Sequence, residues 1–310
     1  MTREQLIKNL SVPKGNIDVV IDTDAFNEID DQFAISYLIR SNEKLNTKAV
    51  YAAPFHNGKS ESPADGMEKS YAEIIKLLKL LNVNIPAFKG SQDYLPEEKT
   101  PILSPAAKDL AERANLYSPE NPLYVVAIGA ITNVASAILL NSAVAENTVV
   151  VWLGGHAHHF SDTREFNMYQ DIAASRVVMG CAVPFIQLPC CGVVSSFKIS
   201  RPELEYWLLG KNELTDYLVK IAVSEAEKYT SGKPWTRVIW DVTAVAWLLN
   251  DGERFMRSRI INTRLSDYNG NYLSPEPTLL SNYVYYINDD ALKEDLITKL
   301  TGVEPITPYK

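Results

Sequence analysis

The sequence predicts an α/β fold with a mostly parallel central sheet flanked by helices, and three observations lead there. Short apolar runs rich in Val and Ile recur along the chain, and they have the composition of buried strands. Longer stretches with helical periodicity separate them through about residue 190. A strand that pairs in parallel with the next needs a crossover, so this alternation implies βαβ units. No internal repeat or low-complexity linker interrupts the pattern, and a single domain over 1–310 is expected.

In chain order, strands are expected at 18–22, 48–52, 123–128, 148–153 and 184–188. Helices are expected at 31–40, 68–81, 106–114, 134–140 and 171–179. The helix at 68–81 places Ile74, Ile75, Leu77, Leu78 and Leu81 on one stripe. Beyond these, 202–229 reads as two helices, and 242–249 as another that is apolar nearly all round and hence buried. A β-rich run at 283–287 precedes a last helix at 291–300. Loops are expected around 58–66 and 269–277.

The 310 residues are 46% hydrophobic and 22% charged, which excludes wholesale disorder and a collagen-like chain. Thirty basic against 38 acidic side chains give a formal charge of -8. That balance argues against a nucleic-acid scaffold, because phosphate binding needs a basic stripe. Cys181, Cys190 and Cys191 are an odd number with two adjacent, which fits no disulfide framework and points to a reducing compartment. The adjacent thiols receive no role. Met1-Thr2-Arg3-Glu4-Gln5 lacks the order of a signal peptide, and no run reaches the roughly 18 apolar residues of a membrane span. A cytoplasmic location is expected.

In open α/β sheets the site lies outside the carboxyl ends of the strands. The first strand ends Ile21-Asp22-Thr23-Asp24, and Asp30-Asp31 opens the next helix. By the period of two, Asp22 and Asp24 would share a face. Four carboxylates within roughly 5–8 Å repel by about 2–3 kcal/mol per pair at an effective dielectric near 20. Such a cluster needs shared protons or a bound cation, and oxygen ligands favour calcium or magnesium over zinc. The plainer alternative has Asp30 and Asp31 capping their helix, and Asp241 capping the apolar helix that follows it. Trp152-Leu153-Gly154-Gly155 runs from a strand into glycines that would let a ligand approach the backbone. Glu165 and Asn167, two apart, could read hydroxyl groups together. His156, His158 and His159 suggest zinc only weakly, since ligands this close in sequence rarely converge on one ion. Val125 to Asn133 reads as a strand ending in Gly129, with Thr132-Asn133 as a helix cap.

Taken together, these segments resemble the inosine–uridine-preferring nucleoside hydrolase family, from the Asp22 region to Asp241. The resemblance implies a single α/β domain, an active-site calcium and hydrolysis of the N-glycosidic bond of ribonucleosides. It implies Asp24 and Asp31 as calcium ligands, Asp241 as the distal ligand and Ile128 as donor of a backbone carbonyl. Asp30 would be the base that deprotonates a calcium-bound water, and Asp22 would support the site by hydrogen bonding. Glu165, Asn167 and Asn57 would hold ribose hydroxyls, with Trp240 beside the base. Family members commonly assemble, so a homo-oligomer is implied, with exposed aromatics such as Tyr206, Trp207 and Tyr217 as interface candidates.

Three departures stand out. Asp24 and Asp30 are six apart, two more than in the usual motif, and the loop carries Asn27 and Glu28. Trp240 stands where many members carry a histidine that protonates the leaving base; His158, His159 or Tyr229 could replace it. The loop 156–164 lacks a clear counterpart of an asparagine usual there. Two other functions fit parts of the sequence. One is a non-catalytic nucleoside- or sugar-binding protein on the same scaffold. The other is a haloacid-dehalogenase-like phosphatase, with Asp22 as nucleophile and magnesium as its metal.

Overall fold

The computed structural model describes residues 1–230 and 232–303. Among them ten strands form: β1 (Ile17–Thr23), β2 (Leu45–Ala52), β3 (Ala87–Lys89), β4 (Leu123–Ala127), β5 (Thr148–Leu153), β6 (Phe185–Leu188), β7 (Lys198–Ser200), β8 (Thr236–Val238), β9 (Met256–Asn262) and β10 (Leu280–Ile287). Eight make one sheet in the order β3-β2-β1-β4-β5-β6-β10-β9, and β7 and β8 form a separate ribbon. Every neighbouring pair in the large sheet is parallel except β9–β10. The chain leaves β1 for β2 and β3, then crosses to β4 on the other side of β1. The order reverses there, and the crevice at such a reversal is where open α/β sheets bind ligands.

Both faces of the sheet are covered along its central strands, which is why β4 and β5 are buried at every position and β1 at all but its first two. Val19, Ile21, Val126 and Val151 point into one core, shared with Phe33 of helix Asp30–Arg40 and Trp247 of helix Val242–Leu248. Val20, Val125, Val150 and Trp152 point into the opposite core, against Val134 of helix Thr132–Leu140. Helix Val242–Leu248 is buried at every position, as its composition predicts.

The five expected strands are present, with ends shifted by up to three residues. The expected helices are present too, but helix Pro63–Leu80 starts five residues early. Ser62 caps it by accepting from the amide of Asp65, and Pro63 fits its first turn. The loop expected at 58–66 is therefore shorter. Ile75 is exposed, so the buried stripe of that helix is Ile74, Leu77, Leu78 and Leu81. The region 202–229 is two helices, Arg201–Trp207 and Glu213–Thr230, and the last helix is Asp289–Thr301. Strands β3, β7 and β8 are three residues long, and β9 is an exposed edge. Neither kind carries a strong apolar signal. Among the described residues no helix is long and apolar enough to cross a membrane.

Candidate active site

Strand β1 stops at Thr23, and Asp24 is the first residue beyond it. The next turn closes when the Asn27 amide donates to the Asp24 carbonyl at 2.7 Å, and helix Asp30–Arg40 then opens on Asp30 and Asp31. From the far end of the chain, Asp241 arrives at the start of helix Val242–Leu248. One oxygen each from Asp30, Asp31 and Asp241 lies within 4.8 Å of the other two. The Asp241 amide donates to Asp30 Oδ2 at 3.3 Å, and the Thr23 hydroxyl donates to Asp31 Oδ1. Neither helix start has a side-chain cap hydrogen bond, although Asp30 and Asp31 stand in the first turn of their helix, where its dipole favours negative charge. The carboxylates also face a cavity.

Asp24, Asp30, Asp31 and Asp241 are all at least 96% buried. Burial, then the neighbouring carboxylates, pushes Asp24, Asp31 and Asp241 well above the usual carboxylate range. Burial, then Glu28, brings Asp30 to about 7. Asp24 Oδ2 is buried with no hydrogen-bond partner. Four such groups can coexist only by sharing protons or surrounding a cation. The donors are all oxygen, so the set fits a hard divalent cation of the calcium class.

Asp22 does not share this cavity. The alternation that would pair it with Asp24 ends with the strand at Thr23, and Asp22 turns into the opposite layer. Its Oδ1 accepts from Asn133 Nδ2 at 2.8 Å, its other oxygen is unpartnered, and burial raises it to about 7 against that bond. A nucleophilic Asp22, as in the phosphatase reading, is therefore overturned. Asn133 also departs from expectation. It caps no helix; it binds the Ala52 carbonyl at 3.1 Å and accepts from the amide and hydroxyl of Ser91 at 2.7 and 2.9 Å. Thr132 donates to Asp171. An asparagine at a helix start reads as a cap in sequence, and its cross-layer role carries no local signal.

The cavity encloses about 270 Å³ and is walled by the four aspartates, Ile128, Glu165, Asn167, Asn57 and Trp240. Asp24 follows β1, Ile128 follows β4, Leu153 ends β5 and Cys190 follows β6, so four neighbouring strand ends converge on it. Glu165 caps helix Phe166–Gln170: Oε1 accepts from the Asn167 amide at 2.8 Å, and Oε2 from Met168 and Gly155 at 3.0 and 2.9 Å. Burial outweighs those bonds and raises it to about 7. Asn167 Nδ2 donates to the Leu153 carbonyl at 3.0 Å. The glycine pair does not open backbone to a ligand. A Cβ on Gly154 would sit 2.4 Å from the Trp152 ring, and Gly155, at φ +74°, turns its amide to Glu165.

The longer Asp24–Asp30 loop is anchored on both sides. Asn57 Nδ2 donates to Asn27 Oδ1 at 2.6 Å, Lys59 Nζ donates to the Asn27 carbonyl at 2.7 Å, and Glu28 pairs with Arg237. None of the three expected proton donors lines the cavity. His158 lies between the rings of Tyr272 and Tyr283, and burial lowers it to about 4. His159 rests against Phe160, and Tyr229 is 73% exposed. His156 and His159 both lie against Phe160, but among the described residues the three histidines form no group with metal-ligand spacing. Several side chains that sequence reasoning left out of the site also line the cavity, among them His156, Arg164, Phe166 and Cys190.

The sequence profile of the inosine–uridine preferring nucleoside hydrolases matches residues 19–274. A probable uridine nucleosidase of Arabidopsis thaliana is 26% identical over 223 residues, covering 66% of this chain and 68% of that protein. A non-specific ribonucleoside hydrolase of Salmonella typhi is 26% identical over 210 residues, covering 59% of this chain and 66% of that one. The chain thus spans about two thirds of the length of these relatives. Among solved structures, a plant nucleoside hydrolase superposes with a TM-score of 0.74 at 16% identity, covering 93% of this chain and 99% of that one. The purine-preferring ribonucleoside hydrolase of Gardnerella vaginalis does so at 0.75 and 15%, covering 92% and 98%. These structural likenesses speak for the fold, and the profile speaks for the family: the chain belongs to the inosine–uridine preferring nucleoside hydrolases, a family of hydrolases acting on N-glycosyl compounds.

Proposed function

We propose that the protein hydrolyses the N-glycosidic bond of ribonucleosides to ribose and free base. The observation that carries this reading is the convergence of Asp30, Asp31 and Asp241 in a cavity that also holds Glu165, Asn167 and Trp240. Asp24, Asp31, Asp241 and the carbonyl of Ile128 are proposed to hold a calcium ion. That ion, when bound, supplies charge that offsets the carboxylates, acidifies water and attracts sugar hydroxyls.

In the reaction an oxygen–C1′ bond forms as the C1′–N bond breaks; the electron pair leaves with the base, which takes up one proton, balancing the one lost by the attacking water. Asp30, a buried carboxylate beside the proposed ion, is placed to take the proton of the attacking water. The surrounding carboxylates favour the positive charge that develops on the ribose ring. Glu165 and Asn167, already fixed by backbone hydrogen bonds, orient the ribose hydroxyls with Asn57, and this preorganisation lowers the entropic cost of reaction. Asp22 acts through Asn133, holding the loops behind the site. Trp240, in the cavity wall, is proposed to stack on the base.

The chain is proposed to work as one domain over 1–310, in the cytoplasm. The exposed Tyr206–Trp207 pair is proposed as a contact in a homo-oligomer. Tyr217 is a poorer candidate, since its hydroxyl is committed to Glu73.

The test is a panel of purine and pyrimidine ribonucleosides beside their 2′-deoxy counterparts, with free base as the readout. Base release from ribonucleosides, with the deoxy series much slower, is expected. Equal turnover of both series would remove the roles given to Glu165 and Asn167. A non-catalytic binding protein would release no base from any member.

A further inference from the structure

Outside the aspartate cluster, one other group of side chains has metal-ready spacing among the described residues: His156, Cys190 and Cys191. One donor atom from each, an imidazole nitrogen and two sulfurs, lies within 4.8 Å of the others. All three cysteines of the chain are free thiols. The backbone sets this arrangement. The Cys190 amide donates to the Gly155 carbonyl at 2.8 Å, and the Ala157 amide donates to the Cys191 carbonyl at 2.9 Å. These two bonds bracket His156 and hold it opposite the cysteine pair. The turn beyond closes when the amides of Val194 and Ser195 donate to the carbonyls of Pro189 and Cys190, both at 3.1 Å. A second observation points the same way: His156 Nδ1 is buried and has no hydrogen-bond partner. An unpartnered ring nitrogen beside two thiols suits a metal-ligand role.

We propose that His156, Cys190 and Cys191 form a second metal site, specific for a thiophilic divalent cation of the zinc class, at the wall of the aspartate cavity. Nitrogen and sulfur donors prefer such cations, while the nearby aspartates prefer harder ones. Around tetrahedral zinc the three donors would stand about 3.5–4 Å apart, so closure needs shifts of only about 1 Å. Binding releases two thiol protons to solvent and places a +2 ion against two thiolates. The acidic cavity therefore gains no net charge. His156 and Cys190 line the cavity, so the site would lie beside the space where substrate is proposed to sit.

The probe is Co²⁺ added to the reduced full-length protein, read by thiolate-to-cobalt charge-transfer absorption. One equivalent per chain should produce the band. Cys190→Ser and Cys191→Ser should each weaken it sharply, and His156→Ala should weaken binding. Asp30→Asn and Asp241→Asn should leave it intact, so the result does not depend on the hydrolase reading. A second measurement needs no variant: Zn²⁺ should protect Cys190 and Cys191, but not Cys181, from alkylation followed by mass spectrometry. No band on the reduced protein, a band unchanged in Cys191→Ser, or equal alkylation with and without Zn²⁺ would overturn the proposal.

Discussion

At Asp30 burial, and then the Glu28 charge, raise the carboxyl pKa, and together they outweigh the Asp241 amide that donates to it. A carboxylate positioned as the base for the attacking water cannot be replaced by an amide, so Asp30→Asn should keep the fold and lower kcat by about 10²–10⁴ with little change in KM. Steady-state base release checks it, and a variant within a few-fold of the parent would remove Asp30 from the chemistry. Asn133 makes a different kind of contribution. Replacing it by Ala leaves Asp22 Oδ1, the Ala52 carbonyl and the Ser91 donors unmatched in the interior. Asn133→Ala should cost about 1–3 kcal/mol or more for the buried groups it strands, read as a lower urea midpoint. At this scale the sequence is readable where chemistry and position coincide. Asp24, Asp30 and Asp31 crowd one strand end, and that density is visible without coordinates. Asn133 and His156 are not, because a single polar residue announces its partners only after distant segments have met.

The elements show the same division. The five central strands are legible because most of their positions are buried on both faces and carry runs of Val, Ile and other apolar residues. The edge strand β9 and the three-residue strands are not, since half-exposed or very short segments carry no periodic signal. Asp22 shows how an element boundary decides a site. Had β1 continued one residue further, alternation would set Asp22 and Asp24 on one face; because it stops at Thr23, they part. The segment from β5 to helix Phe166–Gln170 depends on Gly154 for packing rather than for ligand access. Gly154→Ala would drive a Cβ to 2.4 Å from the Trp152 ring, so something must shift. Overpacking of this kind costs about 1–3 kcal/mol. Thermal unfolding should register that loss, and KM for ribonucleosides should rise as Glu165 and Asn167 move. An unchanged Tm and KM would show that the Trp152 ring yields freely.

At the scale of the whole molecule, the carboxylate cluster joins both ends of the chain, since Asp24, Asp30 and Asp31 meet Asp241 across the core. Burial raises Asp22, Asp30 and Glu165 to about 7 and the remaining aspartates further above their ordinary range. An acid with a raised pKa in the folded state holds its proton more tightly folded than unfolded. Its contribution to stability is complete below about pH 4 and is lost as pH rises through about 7. A cation that replaces those protons makes up the loss. The rise in Tm caused by calcium should therefore be larger near pH 8 than near pH 5, and equal shifts at both would contradict cation binding at these groups.

The most direct measurement is base release from ribonucleosides by the protein before chelation, after chelation, and after calcium is returned. Turnover that vanishes with the metal and reappears with calcium is the expected result. Turnover undiminished in the stripped protein would contradict a cation held by Asp24, Asp31 and Asp241 as the centre of its chemistry.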